Sequence, residues 1–273
     1  MLGAIIGDIV GSSFEFGMNK EIAHSKKYLL ISRYSNYTDD SVMTLAVADA
    51  LMTAMPSKGQ ELAEEKFENC VIKSMRYFGK KYPDAGYGGR FRSWLFSDKI
   101  PQPYNSFGNG SAMRVSPVAW AFDNLEDVEK FAEVSARVSH NHPEGIKGAQ
   151  ATAAAIFLAR MGESKAEIKH YVSEKYHYDL TRTLNEIRPN YHHIEICQQT
   201  VPEAITAFLE GENFEDVIRN AVSLSGDADT LAAIAGSIAE GFYGIPDEIT
   251  AMALPKLDDF LSDVLNRWEQ WRG

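Results

Sequence analysis

Helical periodicity runs through almost the entire chain of 273 residues and constrains its fold most strongly. Apolar residues recur at the three- and four-residue spacing of buried helix faces. The run YLLIS at 28–32 is the best strand candidate, and it fits an extended loop equally well. We therefore predict a single, mostly α-helical domain that spans residues 1–273. The predicted helices are 2–17, 40–54, 60–80, 87–96, 111–122, 126–138, 143–161, 164–175, 201–209, 214–223, 229–243, 246–252 and 256–270.

Several of these helices carry Gly, Ala and Ser on their apolar faces, as in GAIIG at 3–7 and LAAIAGSIAEG at 231–241. Small side chains let two helix backbones approach closely. Tight helix packing is the expected consequence, and it accounts for most of these residues without any further role.

Charge and cysteine content exclude several classes of protein. The net charge of −11 argues against non-specific attraction to nucleic acid or anionic membranes, because both are negative. Two cysteines, Cys70 and Cys197, are too few for a disulfide framework or a thiolate metal cluster, which fits a reducing compartment. The N-terminal stretch lacks a basic leader, and no segment reaches the roughly 20 apolar residues of a membrane span. We therefore expect a cytoplasmic protein, and these patterns leave its oligomeric state open.

Two adjacent acids, Asp39 and Asp40, stand directly before an apolar run in YTDDSVMTLAVADA (37–50). Adjacent carboxylates repel each other, and a buried charge without a partner is costly. Thr38 can cap a helix here, and the helix macrodipole favours acids in the first turn. Helix capping therefore explains one of the two acids without any function.

A second stretch, SLSGDADTLAAIAGS (223–237), repeats this arrangement with Asp227, Asp229 and Thr230 before another apolar helix. Oxygen-only donor sets suit hard cations such as Mg²⁺ or Mn²⁺ rather than zinc, and a cation removes the repulsion between neighbouring acids. Four carboxylates with two hydroxyls exceed what one ion usually takes from a protein. The pattern therefore predicts a two-metal site.

The N-terminal stretch GDIVGSSFEF (7–16) places Asp8 and Glu15 on one face of a predicted helix. The two acids would lie about 10 Å apart along the axis, so both can reach one ion only if the helix ends between them. Glu15, nearer the helix end, would then be free for proton transfer or water activation. A solvated acidic stripe is the alternative, and the apolar flanking residues disfavour it.

The segment NSFGNGSAMRVS (105–116) has the composition of an anion-binding loop. Gly108 and Gly110 permit close approach of the backbone, and Arg114 would either add positive charge or pair with an acid. Further donors would come from Ser106, Asn109 and Ser111. A loop of this kind on its own is usually just a turn.

The segment SHNHPEG (139–145) brings His140 and His142 just ahead of another predicted helix. Metal ligation by both histidines would need an extended backbone. Hydrogen bonding is the commoner role of loop histidines, and we expect it for both.

Together and in this order, these segments resemble the ADP-ribosylglycohydrolase family. The matching stretches are GAIIGDIVGSSFEF at 3–16, YTDDSVMTLAVADAL at 37–51, GNGSAMRVSPVAWAF at 108–122, SHNHPEGIKGAQATAAAI at 139–156 and TVPEAITAFLEGENFEDVIRNAVSLSGDADTLAAIAGSIAEGFYG at 200–244. The resemblance spans nearly the whole chain, and segment 165–198 is its least characteristic part. It implies an all-α, orthogonally packed helical bundle with a dinuclear Mg²⁺ or Mn²⁺ cleft.

The resemblance also implies roles for individual residues. Glu15 matches the catalytic glutamate of the family, and Asp40 is expected to serve catalysis as well as metal binding. The implied metal ligands are Thr38, Asp39, Asp40, Asp227, Asp229 and Thr230, with Asp229 as the bridging carboxylate. The implied phosphate-binding loop consists of Asn105, Ser106, Phe107, Gly108, Asn109 and Gly110, in which Phe107 stacks on the ligand, and His140 contacts the substrate.

The activity implied by the resemblance is hydrolysis of the bond between C1 of ADP-ribose and a modified protein side chain or small adduct. A metal-polarised water would attack C1, with Glu15 as general acid or base. One alternative is an ADP-ribose-binding module without catalysis, which the presence of all the acids disfavours. Another is a two-metal nucleotide phosphohydrolase, which gives the glycine loop no specific role. The linkage and the choice between Mg²⁺ and Mn²⁺ stay open at this point.

Overall fold

A computed structural model describes residues 1–17, 19–99 and 101–273 and confirms the predicted all-α architecture. Of the described residues, 68% are helical, and they form no strand beyond one antiparallel bridge between Gly108 and Ile196. The α-helices are α1 Leu2–Gly11, α2 Lys20–Ser25, α3 Asp39–Ala54, α4 Glu64–Lys81, α5 Gly89–Leu95, α6 Gly110–Met113, α7 Ser116–Ala121, α8 Leu125–Arg137, α9 Pro143–Arg160, α10 Lys165–Tyr176, α11 Leu184–Ile187, α12 Cys197–Glu210, α13 Phe214–Ser223, α14 Ala228–Tyr243, α15 Asp247–Ala253 and α16 Asp259–Arg272. Two 3₁₀ segments, Ser12–Gly17 and Leu254–Lys256, follow α1 and α15. In these described ranges, no helix combines the length and the apolar character that crossing a membrane requires.

Helix α14 lies at the centre of the hydrophobic core. Every one of its residues from Ala228 to Glu240 is buried, and α3 and α9 are buried along most of their length. A helix that is apolar or small on all sides is the kind that neighbours can enclose completely. Helices α4, α8, α13 and α16 instead bury one stripe each and lie at the periphery.

Three glycines let α1 lie directly against the backbone of α14. Gly3, Gly7 and Gly11 recur at a spacing of four and therefore share one face of α1. A Cβ atom at any of them would come within 3.0 Å of backbone atoms of α14. The predicted close approach of small-residue helices is confirmed here, and it brings the acid of α1 next to the start of α14.

The structure corrects the predicted helix 2–17, because α1 ends at Gly11. The backbone of Glu15 is extended, with ψ at 156°, and Phe16 adopts a left-handed conformation with φ at 56°. The chain therefore turns away from the helix axis where periodicity alone predicts continuation. The helix therefore ends between Asp8 and Glu15, which is the condition given above for both acids to reach one site.

Proline positions explain two further differences. The predicted helix 111–122 is interrupted between α6 and α7, since Pro117 has no N–H group to continue the helical hydrogen bonding. The predicted helix 201–209 begins earlier, at Cys197, and Pro202 lies inside it. The Cys197 N–H donates to the Phe107 carbonyl at 3.0 Å, so a contact with the glycine loop fixes this start.

The remaining differences are small. The short helices α2 and α11 were not predicted, because neither is long enough to show apolar residues at the three- and four-residue spacing of a helix. Helix α4 begins at Glu64 rather than at residue 60, and the strand candidate 28–32 is a loop.

Replacing Gly7 with alanine is expected to lower the free energy of unfolding by about 3 kcal/mol, the upper end for an overpacked core. The added methyl group meets helix backbone, which no rotamer change relieves. Urea unfolding followed by circular dichroism measures the effect. The control is Gly89→Ala at the start of α5, where a Cβ atom has open space. Equal unfolding midpoints for the two variants would contradict the close contact.

Candidate active site

Asp8 on α1 is a fully buried carboxylate that fixes the start of α3. Its Oδ1 accepts a hydrogen bond from the Thr38 hydroxyl at 2.8 Å, and its Oδ2 accepts from the Thr38 N–H at 2.9 Å. Oδ2 also accepts from the Ser41 N–H at 3.0 Å and from the Ser41 hydroxyl at 2.5 Å. Burial raises the pKa of Asp8, and these hydrogen bonds act in the opposite direction. The solvated stripe considered for this face does not form at Asp8.

Thr38 caps α3, as the sequence predicts, and its hydroxyl accepts the Asp40 N–H at 3.3 Å. The same hydroxyl donates to Asp8, so α1 and α3 share this residue. Asp39 and Asp40 follow in the first turn of α3, and both line a cleft with a cavity volume of about 290 Å³. The capping interaction therefore positions the two acids.

A second group of acids lines the same cleft. Asp227 is the N-cap of α14, Asp229 lies in its first turn, and Glu15 comes from the 3₁₀ segment. One carboxylate oxygen from each of these three residues lies within 4.8 Å of the others. The Thr230 hydroxyl donates to Asp40 Oδ2 at 3.3 Å and so joins the starts of α14 and α3. The two motifs paired in the sequence analysis do meet in space.

Burial and mutual repulsion dominate the electrostatics of this acidic end. Burial raises the pKa of Glu15 to about 8, with a further contribution from the Asp229 charge. Burial likewise raises the pKa of Asp227 to about 7. The pKa values of Asp39, Asp40 and Asp229 are raised well above the usual range by burial and then by neighbouring carboxylates. The cluster therefore resists ionisation unless positive charge is supplied.

The opposite end of the cleft contains a buried cation. Arg114 is 0% exposed, and it donates to the carbonyls of Gly110 and Ser135 and to the Ser139 hydroxyl, each at 3.0 Å. Its Nε has no hydrogen-bond partner within the described part of the chain. Burial lowers the pKa of Arg114 to about 10, so the group stays charged at neutral pH.

His140 lies beside Arg114 and is held as a neutral base. Its Nδ1 shares a hydrogen bond of 2.8 Å with the Ser139 hydroxyl. Burial and then the Arg114 charge lower the pKa of His140 well below its usual value. A Cβ atom at Gly110 would lie 3.3 Å from His140 Nε2, so the glycine gives this nitrogen space at the cleft wall. His142 caps α9 and accepts the Glu144 N–H at 3.1 Å, which confirms the hydrogen-bonding role expected for both histidines.

Neither end of the cleft neutralises its own charge. Across residues 1–17, 19–99 and 101–273, no ion pair involves Arg114 or any of the clustered carboxylates of Glu15, Asp39, Asp40, Asp227 and Asp229. In addition, Asp40 Oδ1 is buried and has no hydrogen-bond partner there. Buried charges are normally paired or bound to metal, so the cleft is incomplete without ligands of both signs. The oxygen-only donor set at the acidic end fits a hard divalent cation.

A larger cavity, of about 510 Å³, lies between the 55–62 loop and residues 121–131. Its lining residues have no buried, unpartnered polar side-chain atom among the described residues. Volume alone therefore points to this second cavity, whereas unpaired buried charge points to the first. We take the first as the site, because charge without a partner is the stronger indication of a missing ligand.

Comparison with known proteins identifies the family of this chain. A model of the ADP-ribosylglycohydrolase family matches residues 1–272. The chain belongs to the ADP-ribosylglycohydrolase family. Mouse ADP-ribosylhydrolase ARH3 is 27% identical over 90% of this chain and 83% of its own length. The ADP-ribosyl-[dinitrogen reductase] glycohydrolase of Rhodospirillum rubrum is 27% identical over 94% of this chain and 88% of its own.

A solved structure supports the fold of this family member. The structure is named ADP-ribosylglycohydrolase-related protein complex, and its TM-score with this chain is 0.67. The match covers 100% of this chain and 96% of the other, at 21% sequence identity.

Within the family member's cleft, most of the predicted residues come together. The cleft is lined by Glu15, Asp39, Asp40, Ser106, Gly108, Asn109, Gly110, His140, Asp227, Asp229 and Thr230. Asn109 connects the two ends, since its amide group donates to Thr200 at 3.1 Å and to Asp227 Oδ2 at 2.5 Å. The glycine loop and the acidic end therefore form one continuous site.

Four predicted residues are not part of the cleft lining. The Ser111 hydroxyl donates to the Gly145 carbonyl at 2.7 Å. The Thr38 hydroxyl makes the hydrogen bonds with Asp8 and Asp40 described above. Asn105 has a left-handed backbone with φ at 55°, and its N–H donates to the Asn141 side chain at 2.7 Å. Phe107 is 41% exposed, and its ring centroid lies 5.2 Å from that of His142.

Other lining residues were not predicted as site residues. They are Phe16, Gly86, Gly88, Gly89, Arg90, Phe91, Tyr104, Met113, Arg114 and Glu195. A usable signal exists for the glycines, because AGYGGR at 85–90 is as glycine-rich as the loop at 105–110. No local pattern marks Tyr104 or Glu195. Arg114 was predicted either to add positive charge or to pair with an acid, and among the described residues no acid forms an ion pair with it.

Replacing Asp40 with asparagine is expected to stabilise the metal-free protein, raising its Tm in EDTA by about 2–4 °C per kcal/mol of repulsion removed. Millimolar Mg²⁺ or Mn²⁺ should raise the Tm of the parent protein and have much less effect on Asp40→Asn, because a ligand charge is lost. Thermal unfolding with and without cations measures both effects. The control is Glu174→Gln, an exposed acid on α10. An Asp40→Asn variant that is less stable in EDTA, or that responds fully to cations, would contradict the account.

Proposed function

We propose that this chain is a metal-dependent hydrolase that cleaves the glycosidic bond between C1 of ADP-ribose and a modified protein side chain or small adduct. A single observation carries the proposal: one cleft has a buried cation at one end and buried carboxylates at the other. Each end keeps a buried polar atom without a hydrogen-bond partner in the described chain, Arg114 Nε and Asp40 Oδ1. ADP-ribose has a doubly negative diphosphate and, beyond it, a ribose whose hydroxyl groups can bind cations. The charges of the ligand therefore complement the two ends of the cleft.

The diphosphate is proposed to lie at the Arg114 end. A guanidinium group that already makes three hydrogen bonds to the protein is held rigidly, and its charge is available to an anion. The glycines of the adjacent loop leave space for phosphate oxygens beside His140. Because His140 is neutral, it would orient the diphosphate through a hydrogen bond and would not attract it through charge. The phosphate-binding loop proposed here is Asn105, Ser106, Phe107, Gly108, Asn109 and Gly110.

Two divalent cations, Mg²⁺ or Mn²⁺, are proposed at the acidic end. Their ligands would be Thr38, Asp39, Asp40, Asp227, Asp229 and Thr230. When bound, the cations supply positive charge that offsets carboxylate repulsion, fixes the ribose hydroxyls and acidifies water. The Thr38 hydroxyl donates to Asp8 and accepts from Asp40, so one lone pair stays available to an ion.

Glu15 is proposed to move the protons of the reaction. Hydrolysis breaks the bond from C1 to the target atom, whose electron pair stays on the target and takes up a proton. The oxygen of water forms the new bond to C1 and loses a proton. Glu15 is half-buried at the cleft and has a pKa of about 8 in the metal-free protein, which suits a group that both accepts and donates near neutral pH. Asp40, with its free Oδ1, is proposed to orient the attacking water.

Hydrolysis is favoured over the binding-module alternative, because every predicted acid is present and lies in the cleft. The two relatives compared above are also named for hydrolytic activities. Nothing in the described residues specifically supports a nucleotide phosphohydrolase.

The test is release of free ADP-ribose from arginine-linked, serine-linked and O-acetyl substrates, measured chromatographically. We expect turnover of at least one substrate with Mg²⁺ or Mn²⁺ and a loss of at least about 100-fold in EDTA, restored by adding the metal. Full turnover in EDTA would contradict the metal mechanism. No release under any condition would contradict the proposed function.

The matched variant for the same assay is Glu15→Gln, which keeps the size of the side chain and removes its proton chemistry. General acid–base groups contribute about 10²–10⁴-fold, so we expect kcat to fall within that range. Calorimetry should still show ADP-ribose binding with an affinity close to that of the parent protein. A variant that turns over normally would show that another group moves the protons.

A further inference from the structure

The segment 190–197 forms the part of the cleft mouth nearest to Glu15. The Asn109 N–H donates to the Glu195 carbonyl at 2.9 Å, which fixes the segment to the glycine loop. On the other side, the His192 carbonyl packs on Gly226, where a Cβ atom would lie 2.6 Å from its oxygen. This wall comes from segment 165–198, which contains none of the five stretches on which the family resemblance rests.

Three side chains at this mouth form a connected group. Glu195 lines the cleft, and 62% of its side chain is exposed. Its Oε1 lies 2.7 Å from His193 Nε2. The His193 ring lies 4.9 Å, between centroids, from the ring of Phe16, which directly follows Glu15. Phe16 lines the cleft, and 66% of it is exposed. We call Phe16, His193 and Glu195 the mouth group.

The modified target must lie at this mouth. A cavity of about 290 Å³ has no room for a protein side chain and its backbone in addition to ADP-ribose. Asp40 and Asp229 are each 3% exposed and form the floor, whereas Glu15 is only half-buried and borders the opening. The leaving group on C1 therefore has to exit past Glu15 and reach the mouth group.

The mouth lies at the acidic end of the cleft. The cationic lining residues, Arg90 and Arg114, both act on His140 at the other end. Glu195 adds another negative charge, close enough to act on Glu15. His193 bonds only one of the Glu195 oxygens, and Oε2 makes no hydrogen bond within the described part of the chain. The leaving group would therefore meet two features at the mouth: the Glu195 carboxylate, which has one oxygen free, and the exposed ring of Phe16.

We propose that Glu195 and Phe16 determine leaving-group specificity and select a planar cation, the guanidinium group of an arginine-linked target. A guanidinium group stacks on an aromatic ring and donates paired hydrogen bonds to a carboxylate. A serine hydroxyl gains neither interaction, and an acetate leaving group is repelled by the carboxylate. This inference rests on the proposed hydrolase function and adds the substrate class to it.

The corresponding reaction balances without any further reagent. The bond between C1 and the guanidino nitrogen breaks, and its electron pair stays on that nitrogen. The nitrogen takes one proton, so that arginine leaves as the guanidinium ion, while C1 bonds to the oxygen of water. Glu195 does not exchange protons in this scheme; it holds the guanidinium group through charge and hydrogen bonds.

The experiment compares kcat/KM for ADP-ribosyl-arginine and ADP-ribosyl-serine peptides in the full-length, metal-loaded protein. We expect the parent to prefer the arginine-linked peptide, and Glu195→Gln to reduce that preference about tenfold, the effect of losing one charge-assisted interaction. Phe16→Leu keeps an apolar side chain without a π-face and should reduce the preference in the same direction. Raising the salt concentration should weaken the preference of the parent but not that of Glu195→Gln, since an exposed ion pair is screened.

Glu174→Gln on α10 is the control for loss of one acidic charge elsewhere. Its preference should equal that of the parent, and thermal unfolding should show that all variants are folded. A parent that prefers the serine-linked peptide would overturn the proposal, as would an unchanged preference in Glu195→Gln. An equal loss on both peptides would also overturn it, since Glu195 would then serve the general reaction. If the parent releases ADP-ribose from neither peptide nor from O-acetyl-ADP-ribose, the proposed function itself fails and this inference fails with it.

Discussion

The contact between the backbones of α1 and α14 is the constraint on which the site depends. Gly3, Gly7 and Gly11 allow α1 to lie where any larger residue would overlap α14. The close approach places Asp8 beside the start of α3 and leaves Glu15, after the helix ends, beside Asp229. The catalytic geometry is therefore a consequence of helix packing, and the glycines that look like simple packing residues determine where the carboxylates lie.

The same packing brings like charges together in a buried site. The acids at the starts of α3 and α14 keep raised pKa values because burial and repulsion both oppose ionisation. Arg114 at the other end carries a buried positive charge, which burial disfavours in the same way, and no described acid forms an ion pair with it. Uncompensated buried charge at each end of the cleft lowers the stability of the ligand-free fold. Binding of cations at one end and of an anion at the other would therefore stabilise the protein. Affinity for charged ligands and reduced stability of the ligand-free fold are two consequences of one arrangement.

The helices and the acid pairs could be predicted from the sequence, because both are local patterns. Thr38 reads as a cap from its neighbours alone, and the repetition of its pattern before α14 predicted that the two motifs meet. Loop side chains are different, since their direction depends on contacts distant in sequence. The bridge between Gly108 and Ile196 orients the glycine loop, and Phe107 lies outside the cleft lining although its neighbours line it. Glu195 reaches the mouth for the same reason, and no spacing rule marks it.

The orientation of ADP-ribose in the cleft is the central claim, and a crystal structure of Glu15→Gln with ADP-ribose and Mn²⁺ tests it most directly. Anomalous scattering from manganese identifies the ions independently of the ligand. We predict manganese peaks at the carboxylates of Asp40 and Asp229, the distal ribose beside them, and the diphosphate at the Arg114 and His140 end. Absence of manganese at these carboxylates, or an ADP-ribose bound with its adenine toward them, would contradict the account.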